Sequence, residues 1–458
     1  MNIESLFKSQ NKFFASQKTF SLKFRLAQLK KLKTAIKHSE KDFLLALKKD
    51  LNKSKEEALI CEVFPIYKEI DYFLKNLPQL VKEQKQKTPL ALFPSQSKIA
   101  VTPKGLQLII SPWNYPLQLN LIPLIGSMAA GNCTIIKPSE LATNTSTALK
   151  KFFDLHFDSN YINVVEGDQK ETQELLEHPF NHVFFTGSTT VGKIVYEQAA
   201  KHLSSVTLEL GGKTPCIIDK DVSLNVAVKR IAWGKLLNLG QTCIAPDYIL
   251  CHEKHYNTLL RDLSAEFDKQ INNDSSGLCR IINQKHFDRL HNILKQSTSY
   301  KEAIIDKASR YISPTILLDV GHQNMPAMKE EIFGPLIPII KFQHFNEALA
   351  IARQYPNPLA AYLFSENDKN IKNFSQKFNF GGACINDTMI QLAHPELPFG
   401  GHSSSGLGSY HGSHSFYEFS HKKSICHRSK RLDLEARYFP YNKLKVSILK
   451  KAMLGWKN

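Results

Sequence analysis

Leu208-Glu209-Leu210-Gly211-Gly212-Lys213 and, further on, Gly240-Gln241-Thr242-Cys243-Ile244-Ala245-Pro246-Asp247 decide how the rest of the chain is read. A carboxylate and a thiol stand 34 positions apart, each close to glycine. Glycine has no Cβ, so the backbone there can approach a bound molecule closely. A nucleophilic cysteine needs a base or a positive environment that favours thiolate or activates water. Glu209 and Cys243 supply such a pair. Taken alone, they read more simply as an inert buried thiol and a solvated glutamate. The surrounding pattern decides between the two.

Outward from that stretch, strand and helix alternate. Residues 106–110, 133–136, 162–165 and 182–185 read as apolar strands, and 117–130, 146–157 and 189–201 as the helices between them. A second unit begins near Gly212, with strands at 215–218, 248–251, 337–341, 360–364 and 383–385 and helices at 225–237 and 256–270. Continuous apolar strands with intervening helices imply parallel sheets covered on both faces. Ligands of such sheets lie at the carboxyl ends of the strands, here the loops 111–116, 137–140 and 186–192. Before this region, residues 20–49 and 55–82 carry helical periodicity. Residues 88–98 contain proline and serine and read as a projecting arm or linker.

The 458 residues exceed one ordinary core, so two or three domains are expected. Eight scattered cysteines, none in a CxxC pair, indicate free thiols in a reducing, cytoplasmic setting rather than a disulfide framework or zinc site. No signal-type leader and no membrane-spanning run is present. The net charge of +17 lies at the ends: +8 in residues 1–50 and +9 in residues 420–458, with a neutral middle. The N-terminal lysines read as the solvated faces of helices. The segment 443–454, cationic with an apolar side and followed by Trp456, has the character of a membrane-surface helix.

Three loops carry polar motifs. Phe185-Thr186-Gly187-Ser188-Thr189-Thr190-Val191-Gly192-Lys193 is a strand, a glycine turn and a helix start, suited to phosphate. Its spacing approaches a Walker A loop, but Ile194 stands where the magnesium-binding hydroxyl belongs. A P-loop nucleotide-binding protein is therefore a remote alternative. Lys137-Pro138-Ser139-Glu140 places a Lys and a Glu where they can hold ribose hydroxyls or form a surface ion pair. In Ser111-Pro112-Trp113-Asn114-Tyr115-Pro116 the Asn114 amide is a candidate oxyanion donor, or a turn residue satisfying local backbone.

With these stretches, Glu330–Pro335 (EEIFGP), Gly381–Asp387 (GGACIND) and Pro398–Gly412, the chain resembles the aldehyde dehydrogenase superfamily over residues 100–425. The run NLGQTCIAPDY and the tail Arg437-Tyr438-Phe439-Pro440-Tyr441 favour the dimeric class 3 branch of fatty and aromatic aldehyde dehydrogenases. The resemblance implies an α/β fold with a Rossmann-type cofactor domain (1–82 and 101–211) and an α/β catalytic domain (212–411). It also implies small β oligomerisation arms (83–100 and 412–442), followed by the basic tail 443–458. It implies NAD(P)-dependent oxidation of medium- or long-chain aliphatic, or aromatic, aldehydes to acids by a homodimer. Cys243 would be the nucleophile, Asn114 the oxyanion donor and Glu209 the base for hydrolysis of the thioester. Lys137 and Glu140 would hold the adenosine ribose, Glu331 the nicotinamide ribose, and Phe333 the nicotinamide end. Gly187, Ser188 and Gly192 would form the dinucleotide turn, with Ser111, Trp113, Leu210 and Gly211 completing the cofactor site.

Glu140 favours NAD, with NADP possible. No metal is expected. The alternative within the fold is a CoA-dependent acylating enzyme. His402-Ser403, where the family usually has Val-Gly, is expected near the mouth of the substrate tunnel, and His411 is expected to be structural. Peripheral contact of the tail with anionic membrane is a further expectation, and nucleic acid is not an expected partner.

Overall fold

Two six-stranded sheets organise the computed structural model, which describes residues 2–89, 92, 94–271, 275–319, 321, 324–430, 433 and 435–454. The first sheet runs, in spatial order, Gly406–Leu407, Ser205–Glu209, His182–Thr186, Leu106–Ile110, Cys133–Lys137, Ile162–Val164. All pairs are parallel except the edge pair, where Gly406 opposes Glu209. The strand earliest in the chain, Leu106–Ile110, lies between Cys133–Lys137 and His182–Thr186. The order therefore reverses there, and a crevice opens beyond the carboxyl ends. Each residue of those three strands is buried, as strands covered on both faces must be.

The second sheet, Thr315–Leu318, Leu336–Phe342, Tyr248–His252, Pro215–Ile218, Ala360–Phe364, Gly382–Ile385, is parallel throughout. A third, antiparallel sheet joins Gln84–Gln86, Gln96–Pro103 and Ser420–His427. Its last strand is exposed after the first residue and is paired on one side only.

Three differences from the periodicity reading have physical causes. The helix Ile3–Ala15, outside the periodic stretches, docks through Ile3, Leu6, Phe7, Phe13 and Phe14; Asn2 caps it, and the Gln10 amide reaches the carbonyls of Thr134 and Ser159 at 3.3 and 3.2 Å. The helix expected over 55–82 is broken by a π-turn, Leu59–Val63, just before Pro65. Phe64 N–H reaches back to the Leu59 carbonyl, and the wider turn directs Glu62 inward. The arm is a β-ribbon whose strands hold by pairing rather than by burial, so their polar sequence hides them; residues 90, 91 and 93 of it lie outside the described residues.

The helix Lys443–Leu454 presents exposed Leu444, Met453 and Leu454 beside its lysines; Trp456 lies outside the described residues. Among the described residues no helix is long and apolar enough to cross a membrane.

Candidate active site

Glu209 closes the strand Ser205–Glu209 at the crevice. It is 1% exposed, and neither carboxylate oxygen has a hydrogen-bond partner among the described residues. Burial, and then the charge of Glu418, push its pKa well above the usual carboxylate range.

Cys243 reaches the same place from the second sheet. After the helix Leu224–Leu236, Asn238, Leu239 and Gly240 take φ of 49°, 53° and 72°. Three consecutive left-handed residues fold the chain back sharply. A side chain at Gly240 would meet the Gly334 carbonyl at 2.3 Å, so only glycine fits. Side chains pin the turn: Asn238 Nδ2 donates to the Gln241 carbonyl (3.0 Å), and Gln241 Nε2 donates to the carbonyls of Asn238 (3.1 Å) and Arg280 (3.0 Å). Burial raises the thiol pKa of Cys243, and Glu331 and Glu209 add to the rise when they are ionised, so the free site holds the thiol form.

Asn114 follows the strand Leu106–Ile110 and is 2% exposed. Its Nδ2 donates to the Gln241 carbonyl at 3.1 Å, which leaves the second amide hydrogen available. Its own carbonyl accepts from Lys53 Nζ (2.9 Å) and Asn238 Nδ2 (2.8 Å). The next residue, Tyr115, shares a 2.7 Å hydrogen bond with the Thr242 hydroxyl. The oxyanion candidate and the thiol loop are thus tied directly across the two sheets.

Cys243 and Glu209 line one cavity of about 880 Å³. Leu119, Tyr115, Ile244, Met389, Phe399 and Tyr410 form much of its wall, and the exposed side chains of Phe64, Trp233 and Ile390 also line it. This is space for an apolar chain.

The other motif residues gather on the crevice side. Lys137 ends its strand buried, its ammonium donating to the Pro138 carbonyl at 2.9 Å, with Glu140 exposed just beyond. Burial lowers the Lys137 pKa. Ser111 donates its hydroxyl to the Leu119 carbonyl (2.8 Å), and its N–H pairs with the Lys137 carbonyl (3.1 Å). Gly187 N–H bonds the Glu209 carbonyl (3.0 Å), and Ser188 caps the helix Thr189–Ala200. A side chain at Gly192 would meet Leu210 at 2.6 Å, so the glycine lets the helix start press on the strand end.

The Glu331 carboxylate lies against Gly211, where an added Cβ would be 2.2 Å from its oxygen. Burial and then Asp247 raise its pKa to about 8, opposed by the Gly212 N–H it accepts from. Phe333 takes φ 49° and meets Trp113 edge-on at 5.4 Å. Asp247 holds this loop, accepting from Ile332 N–H (2.9 Å) and from the Lys213 ammonium.

The family model for the aldehyde dehydrogenase family matches residues 1–425. The chain belongs to the aldehyde dehydrogenase family. A 4,4'-diaponeurosporen-aldehyde dehydrogenase of Staphylococcus aureus is 46% identical over 444 residues, covering 96% of each chain. Aldehyde dehydrogenase family 3 member A2 of Mus musculus is 43% identical over 439 residues, 95% of this chain and 90% of that one. The solved structure of a substrate-bound state of Staphylococcus aureus AldH superposes with a TM-score of 0.96 at 45% identity, covering 98% of this chain and 99% of the other. This aldehyde dehydrogenase is therefore an oxidoreductase of the class 3 type, acting on aldehydes with a nicotinamide cofactor.

One expectation about this dehydrogenase needs correction. His402 and Ser403 are exposed and absent from the cavity wall. Their turn is drawn to the first sheet because Gly406 pairs with Glu209 and Leu210 N–H bonds the Ser405 carbonyl at 3.0 Å. Thr189 donates to the Ser404 carbonyl at 3.1 Å, so the pair sits beside the start of the Thr189–Ala200 helix. His411 packs its ring against Tyr410, with centroids 4.3 Å apart. It lines the cavity with Nε2 buried and unpartnered, while Nδ1 lies 3.9 Å from Glu69.

The motif reading also missed Tyr115 and Leu119 as cavity walls. Their signal was the apolar stretch that follows Asn114 and runs into the helix Gln118–Ala130.

Proposed function

We propose that this enzyme oxidises medium- or long-chain aliphatic, or aromatic, aldehydes to carboxylic acids through a thioester on Cys243. The observation that carries the reading is the large, mainly apolar cavity that meets both the Cys243 thiol and the unpartnered Glu209 carboxyl. Cys243 gives up its thiol proton to solvent and its Sγ adds to the aldehyde carbon. The Asn114 amide and the Cys243 N–H hold the oxygen that becomes negative. Glu209 then takes a proton from the water that attacks the thioester, and the acid and free thiol result. Among the described residues neither Glu209 oxygen has a partner, which suits a base for water, and the presence of Glu209 argues against an acylating enzyme that hands its thioester to CoA.

The residues fit a dinucleotide. Lys137 and Glu140 stand at a strand end for the adenosine ribose. Gly187, Ser188 and Gly192 open a helix N-terminus for phosphate. Leu210 and Gly211 form the floor, Glu331 holds the second ribose, and Ser111, Trp113 and Phe333 frame the nicotinamide end. When bound, the cofactor takes up the hydride that leaves the substrate carbon. The exposed Glu140 carboxylate repels a 2′-phosphate and favours NAD over NADP.

In this reading residues 1–82 and 101–211 serve the cofactor and 212–411 carry the nucleophile. The arms 83–100 and 412–442 join two copies in a cytoplasmic homodimer. The free edge of Ser420–His427 supports the dimer, since an unpaired strand edge invites a partner. The basic tail 443–458 meets anionic membrane from the surface; equal sedimentation with anionic liposomes with and without it would dismiss that part.

The test of the main reading is NAD(P)H formation with aldehydes of graded chain length, comparing native enzyme with Cys243→Ala. Native turnover that vanishes in the variant supports it; turnover that survives overturns it.

A further inference from the structure

We propose that the buried Lys53–Glu62 ion pair is a positioning device that sets Asn114 against the Cys243 turn, an inference that rests on Asn114 holding the oxyanion. Both side chains are fully buried, with Lys53 Nζ 2.5 Å from Glu62 Oε1. The ammonium makes two further contacts, both with the oxyanion loop. It donates to the Asn114 carbonyl at 2.9 Å and lies 4.0 Å from the centre of the Tyr115 ring. Glu62 uses its other oxygen to accept the N–H groups of Leu117 (3.1 Å) and Gln118 (2.9 Å). These are the first free donors of the helix Gln118–Ala130, where a carboxylate is favoured.

The same short segment grips the other loop. Glu57, one helical turn before Cys61, accepts the Asn238 N–H at 2.6 Å, and Asn238 begins the left-handed turn that leads to Cys243. Asn238 Nδ2 closes the circuit onto the Asn114 carbonyl. That carbonyl therefore receives two fixed donors, one from each side of the crevice. Residues 53–62 thus connect a loop of the first sheet to a loop of the second, and the π-turn at Leu59–Val63 is what aims Glu62 inward.

A fully buried ion pair is a poor source of stability, because desolvation offsets its attraction and apolar replacements are often neutral or better. What it fixes is orientation. The Asn114 peptide cannot rotate without breaking the contact to a charge that has no water to turn to. The amide side chain carried by that peptide inherits its direction.

The experiment uses the charge-neutral double variant Lys53→Met/Glu62→Gln in the full-length enzyme, alone and combined with Asn114→Ala. Single-turnover NADH formation from a saturating aldehyde is expected to fall about 10²-fold, the effect of a misplaced group near reacting atoms. NAD affinity is expected to stay native. Placed on Asn114→Ala, the same change is expected to lower the rate less than about threefold, because the group being positioned is already gone. Native-rate NADH formation in the neutral variant, or an equal loss in both backgrounds, would overturn the proposal. Should the neutral variant fail to fold, Lys53→Arg is judged by the same two criteria, since it keeps the charge but moves its donors from the Asn114 carbonyl. A full-rate Asn114→Ala enzyme sinks the underlying oxyanion assignment instead, and so separates the two failures.

Discussion

Two buried carboxylates, Glu209 and Glu62, make a useful contrast. Glu62 spends both oxygens on Lys53 and two backbone donors. Glu209, equally buried, has none. An unsatisfied buried group destabilises a fold by about 1–3 kcal/mol or more, and this one lines the same cavity as the Cys243 thiol. In the proposed mechanism the satisfied carboxylate holds geometry, and the unsatisfied one takes a proton from the water that attacks the thioester.

The contrast can be broken most severely at Glu209. Glu209→Gln is expected to lower steady-state turnover by about 10²–10⁴ while leaving a burst of NADH equal to the enzyme present. An unchanged rate with no burst would remove Glu209 as the base. Asn114→Ala should lower kcat by about 10²–10³, and here the burst itself should slow, because the loss falls on the first half of the reaction.

pH sharpens the comparison further. A base with a raised pKa is active only when ionised, so thioester hydrolysis should fall as pH drops through that raised value, well above the ordinary carboxylate range. Stability runs the other way. The fold favours the protonated carboxyl, so ionisation of Glu209 destabilises it as pH rises above the ordinary carboxylate range. Glu209→Gln should therefore melt higher than the native enzyme at neutral and alkaline pH. Equal melting temperatures would mean that the carboxylate has a partner after all.

The smallest expected effect concerns Glu331. Its pKa of about 8 leaves it largely protonated at pH 7. A ribose hydroxyl donating to it favours the carboxylate, so NAD binding should release a fraction of one proton at pH 7 and tighten up to about pH 8. Titration calorimetry in buffers of different ionisation enthalpy measures that release. Zero release would separate Glu331 from the ribose.

These residues were unequally visible in the sequence. The sheet strands were legible because double-sided burial makes them continuously apolar. Cys243, Glu209 and Asn114 were legible through glycine- and proline-marked loops in a family order. Lys53 and Glu62 were not, because Lys53 falls in the break between two helical stretches, Glu62 lies inside the second, and neither belongs to a motif. Only the π-turn and the packing of the oxyanion loop bury them. The strand Gln96–Pro103 stayed hidden for the opposite reason: its partner Ser420–His427 is remote in sequence, and neither strand is apolar enough to announce itself. His402 was misplaced because the pairing of Gly406 with Glu209, which draws its turn away from the cavity, is also a remote contact.

That pairing has a consequence for how the enzyme is made. Glu209 emerges from the ribosome before Cys243, yet its strand gains its last neighbour only when Gly406–Leu407 has been synthesised. The thiol turn, in its own right, needs Glu57 from the beginning of the chain and Arg280 from beyond its middle. A product that ends before Gly406 thus lacks a strand beside Glu209, and the two halves of the site come together only late in synthesis.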